Sequence, residues 1–142
     1  MTGIKRIGPG LKMDKKLVET IRLKRTLPRI IANNSLNHFL EGFRSNGGQT
    51  DAGRWSRRKP GTRRDSGRNI LVDTGALRRD VRIRMTTFKR IVLGTARTPY
   101  ARRHNEGLKG MPKREFLGKS SKLDAKNKEL IQKQLNRIYK WA

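Results

Sequence analysis

Two hydrophobic periodicities share this chain, in separate segments, and together they constrain it to a mixed fold. From residue 81, Val81, Ile83 and Met85 alternate with Arg82, Arg84 and Thr86. A repeat of two places the apolar set on one face of a β-strand and the polar set on the other. Thr87-Phe88-Lys89 allows a turn, and Arg90-Ile91-Val92-Leu93-Gly94-Thr95 supplies a return strand. The segment therefore predicts an antiparallel hairpin with Arg82 and Arg84 on its solvent face. Further on the period changes. Leu123, Leu130, Ile131, Leu135 and Ile138 line one face of a helix, and Lys122, Lys126, Lys133, Arg137 and Lys140 cover much of the rest. Ser121 with Asp124 three residues on resembles a capping box, with Asp in place of Glu or Gln. Tyr139 and Trp141 are placed to dock on the domain or on a neighbour.

Upstream of the hairpin the pattern is also helical. Residues 1–13 hold Gly3, Gly8, Pro9 and Gly10 among basic residues and read as a flexible arm. Leu17, Val18, Ile21 and Leu23 mark a first helix beginning near Asp14. Thr26-Leu27-Pro28 interrupts it, because Pro suits the first turn of a new helix. That second helix carries Ala32, Leu36, Phe39, Leu40 and Phe43 on one face and ends at Gly47-Gly48. Residues 45–68 are polar, and Trp55 is their one large apolar side chain. Arg57, Arg58, Lys59, Arg63 and Arg64 put five cations into eight positions there. Such a run predicts a mobile basic loop that an anionic partner orders. Pro99 opens a short helical turn through Tyr100, Ala101 and His104, which Gly107 closes; Gly110 and Pro112 break the chain before Phe116 and Leu117. The expected fold is α+β: a small antiparallel sheet packed with N-terminal helices and a long C-terminal helix, in a single domain over residues 14–142.

Composition bears on the partner. Lys and Arg number 36 against 11 Asp and Glu, a net charge of +25 on 142 residues. Self-repulsion on this scale disfavours compaction unless an anionic partner or counterions screen it, and nucleic acid is the commonest polyanion. Aromatic residues make up 6% of the chain and are dispersed. The outer face of the predicted hairpin thus offers arginines where a stacking platform would offer rings. That favours phosphate contact over base readout, with Arg57, Arg58, Lys59, Arg63, Arg64, Arg82 and Arg84 as the contact residues. The chain has no cysteine, hence no disulfide and no thiolate metal site. Its start, Met1-Thr2-Gly3-Ile4-Lys5-Arg6, lacks the apolar run of a signal peptide, and no segment has the length and apolarity of a membrane span. A soluble protein assembled in the cytoplasm is the expectation, without membrane contact.

Leu71-Val72-Asp73-Thr74-Gly75-Ala76 matches the core of a retroviral-type aspartic protease. Such an enzyme needs two aspartates sharing a proton, and this chain has a single Asp-Thr-Gly. The Gly-Arg-Asn segment that should follow a later strand instead immediately precedes the triplet, as Gly67-Arg68-Asn69. In the simpler reading Asp73 or Thr74 caps a helical turn, Gly75 permits a tight bend and Leu77 faces the core. His38 and His104 have no partners at metal-ligand spacing, and Glu106 lies two residues from His104, off its helical face. No phosphate-binding loop, dinucleotide motif or nucleophile elbow is present. The sequence predicts no enzyme, no cofactor and no metal.

The pieces from residue 55 onward also form an ordered set. They are Trp55; Ile70-Leu71-Val72-Asp73-Thr74-Gly75-Ala76-Leu77; Val92-Leu93-Gly94-Thr95; Tyr100-Ala101 with His104 and Gly107; and Pro112-Lys113-Arg114-Glu115-Phe116-Leu117-Gly118 before a terminal helix. In order and spacing this resembles the phage virion morphogenesis family, also called tail-completion or neck proteins, from about Phe43 to Ala142. The strong arginine enrichment and the Arg102-Arg103 pair before His104 depart from the family pattern. The resemblance implies a non-enzymatic subunit of the virion neck that joins head to tail or completes the tail end. It implies a hexameric or dodecameric ring around double-stranded DNA in the channel, with portal, adaptor and tail proteins as neighbours. It also implies structural roles for Trp55, Leu71, Thr74, Gly75, Leu77, Gly94, Tyr100, Ala101, His104, Gly107, Pro112, Arg114, Phe116 and Leu117. Ring closure uses head-to-tail interfaces, for which the N-terminal arm, the 45–68 loop and the Tyr139-Trp141 end are candidates. The alternative is a stand-alone nucleic-acid-binding protein, ribosome- or nucleoid-associated. It accounts for the charge but not for the ordered boxes.

Overall fold

A computed structural model of the chain describes residues 14–61 and 67–140. The N-terminal arm, Arg63, Arg64 and Trp141 lie outside the described residues. The first element corrects the expectation of two helices. Lys15–Ser45 is one helix, α1, with Pro28 inside it. An internal proline removes a backbone hydrogen bond and costs about 3 kcal/mol in a helix. Here Pro28 is buried on the same side as Ala32, Ser35 and Phe39, so packing of that stripe outweighs the local cost. Asp14 caps the start through Oδ1, which accepts from the Lys16 N–H at 3.3 Å. Asn46 ends the helix in the left-handed region (φ 56°), and its side-chain oxygen accepts from the Ile70 N–H at 2.8 Å. The expected apolar face of the first turns stays open: Leu17, Val18 and Ile21 are exposed, and only Leu23 is buried.

Residues 46–56 are packed, in contrast to the mobile loop expected across 45–68. Gly47 and Arg54 form an isolated antiparallel bridge, and the Trp55 N–H donates to the Asn46 carbonyl at 3.0 Å. The Asp51 N–H donates to the Lys119 carbonyl, and the Asp51 carboxylate accepts from the N–H and hydroxyl of Ser121, each at 2.8 Å. Trp55 is buried at 6% exposure, and its Nε1–H donates to the Glu115 carbonyl at 2.9 Å. The structural role that the resemblance implies for Trp55 is thus a core position in an otherwise polar stretch.

Gly75, at φ 76°, turns the chain into the short helix α2, Ala76–Asp80. The hairpin follows as predicted: β1, Arg82–Thr86, pairs antiparallel with β2, Ile91–Gly94. Its register shifts between Ile83 and Met85. A bulge of this kind breaks the period of two, so Met85 is 46% exposed instead of sharing a buried face with Val81 and Ile83. Helix α3 spans Ala101–Glu106 and ends on Gly107 at φ 71°; α4 spans Ser121–Tyr139. The α4 cap is Ser120, whose Oγ accepts from the Leu123 N–H at 3.2 Å. Ser121, expected in that role, is taken by Asp51.

Phe43, Trp55, Leu77, Val81, Ala101 and Phe116 form the core, with Leu36, Leu40, Ile70, Leu71, Val72 and Leu117 packed around it. Phe43 is its hub, meeting Trp55 edge-on at 5.5 Å and Phe116 at 5.7 Å between centroids. Helix α4 lies along α1, joined by Asn34 Nδ2 donating to Asn127 Oδ1 at 2.8 Å and by a Thr20–Tyr139 hydroxyl pair at 2.6 Å. Tyr139 therefore docks on its own domain. The architecture is α+β, with a long C-terminal helix against the N-terminal one and a two-stranded sheet beside them.

Candidate nucleic-acid interface

The basic surface is organised by an acid. Asp80 is the only carboxylate between Asp73 and Glu106, and its side chain is nearly buried at the junction of α2 and β1. Its Oδ2 accepts from the backbone N–H groups of Ala96, Arg97 and Thr98 and from the Thr98 hydroxyl, all at 2.8–3.0 Å. Its Oδ1 accepts from Arg84 Nη2 at 2.9 Å. Desolvation alone would raise its protonation range. The donors from Thr98, Arg97 and Ala96 outweigh that and hold the carboxyl far below the usual carboxylate range. Asp80 thus stays ionised and pins the 96–98 loop beside β1.

The pinned loop brings Arg97 alongside Arg79, Arg82 and Arg84 around an open cleft of about 320 Å³, with Tyr100 on its rim. Arg84 is committed to Asp80, and its Nε also donates to the Gly94 carbonyl at 3.2 Å. Arg82 Nε donates to the Arg79 carbonyl at 2.9 Å, which fixes its direction. Among the described residues no carboxylate pairs with Arg79, Arg82 or Arg97, and all three are exposed. Both hairpin arginines singled out from the sequence line this cleft, and of the two only Arg82 has no carboxylate partner among the described residues. Arg84 serves mainly to hold it together.

A second cavity of about 390 Å³ adjoins the first, sharing Ala76 and Tyr100 with it. Arg58, His104 and Arg114 line it. Arg57 and Lys59 are exposed beside it, while half-buried Arg58 donates to the carbonyls of Arg68 and Asn69 at 3.3 and 3.0 Å. Asp73, the residue of the protease-like triplet, is exposed and paired with Arg68 at 2.9 Å. Thr74 Oγ1 accepts from the Ala76 N–H at 3.3 Å within the turn, but Gly75 is the N-cap of α2 and has no side-chain cap bond, so neither Asp73 nor Thr74 takes the capping position expected.

Four of the five boxes from Trp55 to Gly118 contribute to one core, and the Val92–Thr95 box falls in and just after β2. Trp55, Leu77, Ala101 and Phe116 are core residues, Leu71 and Leu117 flank them, and Gly94 pairs with Arg82. A Cβ on Gly107 would lie 3.0 Å from backbone atoms of Lys113, which explains a glycine there beyond its positive φ. Pro112 is exposed two residues before buried Arg114. Tyr100 departs from the expectation of a fold-holding residue: it is 41% exposed, edge-on to His104 at 5.9 Å. His38 is structural, its Nε2 within 2.8 Å of the Gln49 carbonyl and 3.0 Å of Ser120 Oγ.

Sequence reasoning missed Asp80, Arg79, Arg97 and Asn105. Asn105 Oδ1 accepts from the N–H groups of Phe116 and Leu117, and its Nδ2 donates to the Leu117 carbonyl, which anchors the Phe116 box to α3. A lone acid in a long arginine-rich stretch was the available signal for Asp80. Asn105 carried none. Among the described residues no cluster of His, Asp or Glu is arranged to hold a metal ion, and no helix is long and apolar enough to cross a membrane. Comparison of the chain with family models, curated proteins and solved structures finds no match.

Proposed function

We propose that this chain is a non-enzymatic structural subunit of a tailed-phage neck that contacts duplex DNA through phosphates, without sequence preference. One observation carries the DNA contact: Arg79, Arg82 and Arg97 converge on one cleft with no carboxylate paired to them among the described residues. Guanidinium groups present planar forks that suit phosphate oxygens. Each cation placed on a backbone phosphate releases condensed counterions, so binding draws its free energy from salt and is blind to sequence. The neck assignment rests on the ordered boxes, and it is supported by four of the five meeting around one core. In a hexameric or dodecameric ring the cleft would repeat around the channel, and acidic faces of portal, adaptor or tail proteins would offset the +25 charge of each copy.

The test is the salt dependence of duplex binding. Affinity for two unrelated duplexes should agree within about twofold and fall steeply with salt. Replacing Arg79, Arg82 and Arg97 together with Gln should flatten the log–log slope by roughly 2 to 3 units. A strong preference for one sequence, or an unchanged slope in the triple variant, would overturn the reading. Co-purification with ribosomes and absence from virions would favour the stand-alone nucleic-acid-binding alternative.

A further inference from the structure

The cavity beside the arginine cleft contains a charge without a counter-ion among the described residues. Arg114 is only 9% exposed. Its Nε donates to the Ser56 carbonyl at 3.1 Å and its Nη2 to the Arg57 carbonyl at 3.4 Å. Its backbone N–H donates to the His104 carbonyl at 2.8 Å, fixing it beside α3. No carboxylate pairs with it among the described residues. A buried guanidinium with neutral partners alone is costly, because carbonyl oxygens offset only part of the lost hydration. Desolvation, then the proximity of Arg58, pulls its protonation below the ordinary arginine range. Two cations therefore face one cavity. The acid on its wall, Asp73, is held by Arg68.

The other wall adds a second unsatisfied group. His104 lines the same cavity, and its Nδ1 is buried with no hydrogen-bond partner. Burial and nearby Arg114 both disfavour the imidazolium, so the ring is neutral near pH 7 and offers one N–H. The Thr74 hydroxyl stands on the cavity wall as well. A buried guanidinium lacking an anion among the described residues, a neighbouring arginine, the His104 ring and a hydroxyl around one opening match the needs of a tetrahedral oxyanion.

We propose that the cavity bounded by Arg58, Thr74, His104 and Arg114 is a built site for one phosphate group, and that a DNA backbone phosphate is its occupant. The choice of DNA rests on the function proposed above. The cavity shares Tyr100 and Ala76 with the arginine cleft, so one strand can run from one to the other. Arg114 is then the anchor, giving a fixed register at one phosphate, while Arg79, Arg82 and Arg97 supply diffuse attraction.

The test uses the full chain and two probes, orthophosphate and a short duplex, at constant ionic strength. Orthophosphate should raise the melting temperature and shift the His104 imidazole resonances, whereas chloride should do neither. Arg114→Lys keeps the charge but loses the planar fork. It should weaken the orthophosphate response at least fivefold, as should Arg58→Gln and His104→Gln. Arg137→Gln on α4 should leave it unchanged. If Arg114→Lys fails to fold, the other two variants carry the test. Unaltered orthophosphate binding in all folded cavity variants would overturn the site. Displacement of orthophosphate by the duplex supports DNA as occupant. Displacement by a polyglutamate peptide but not by duplex would overturn DNA and assign the site to a protein carboxylate. The triple cleft variant separates the two readings: it should lose most duplex affinity yet keep the orthophosphate response.

Discussion

Trp55 decides between two accounts of the basic loop. A lone tryptophan among arginines could stack on a base, but this one is 6% exposed, meets Phe43 edge-on and donates from Nε1 to the Glu115 carbonyl at 2.9 Å. Trp55→Ala removes a buried indole from the core, a change that costs about 3–5 kcal/mol. Trp55→Phe keeps most of the packing but strands the Glu115 carbonyl, which costs about 1–3 kcal/mol. For a chain of this length those losses correspond to roughly 10–20 °C and 3–10 °C in melting temperature. Urea and thermal unfolding followed by far-ultraviolet circular dichroism would measure both. Duplex affinity of the folded Phe variant should stay within about twofold of the parent, because stacking losses of about 1–3 kcal/mol per base would be far larger. A stable Trp55→Phe protein that had lost most of its DNA affinity would refute the assignment.

Other perturbations follow from particular contacts. Gly47→Ala places a Cβ 2.6 Å from the Trp55 backbone nitrogen at φ +95°, whereas Gly53→Ala at φ +82° meets nothing within 4 Å. Both bear a backbone cost of about 1–3 kcal/mol, and chemical denaturation should show Gly47→Ala to be clearly the worse. Asp80 and Asp51 are held below the ordinary carboxylate range, Asp51 chiefly by the Ser121 N–H and hydroxyl. Their contribution is present above the unfolded value of about 3.9 and is lost as pH falls through the lower native values. Asp80→Asn should therefore flatten the acid limb of a stability–pH profile, and an unchanged limb would contradict the geometry. His104 is pushed down by burial and then by Arg114. As pH drops below about 6.5 the unfolded ring protonates first and the fold loses stability. His104→Gln should remove that slope between pH 7.5 and 5.5 in urea titrations.

Much of the fold was legible where periodicity is set by local chemistry. The hairpin, the α3 turn closed by Gly107 and the α4 face from Leu123 to Ile138 all appear in the residues themselves. The failures share one cause, tertiary packing that overrides a local signal. Pro28 reads as a helix start, yet it lies buried mid-helix because Ala32, Ser35 and Phe39 continue its stripe. Ser121 reads as a cap, but Asp51, far off in sequence, claims it and leaves the cap to Ser120. The alternation at Met85 fails because a bulge is a property of pairing, not of one strand. In the site, charge pointed to arginines but could not say which converge. Arg82 and Arg84 were named from the strand and do line the cleft, whereas the place of Arg97 there depends on Asp80 tying a distant loop to β1. Arg114 was visible as a box residue, and its burial without a counter-ion among the described residues was not.

The central claim is a ring subunit that grips duplex DNA through phosphates. Its most direct test is the mass of the purified protein in solution, at low and high salt, with and without duplexes of two unrelated sequences. The account predicts a closed hexamer or dodecamer, formed alone or on DNA, equally on both sequences, with DNA released at high salt. A chain that stays monomeric on DNA and binds one of the two sequences far more tightly would contradict it.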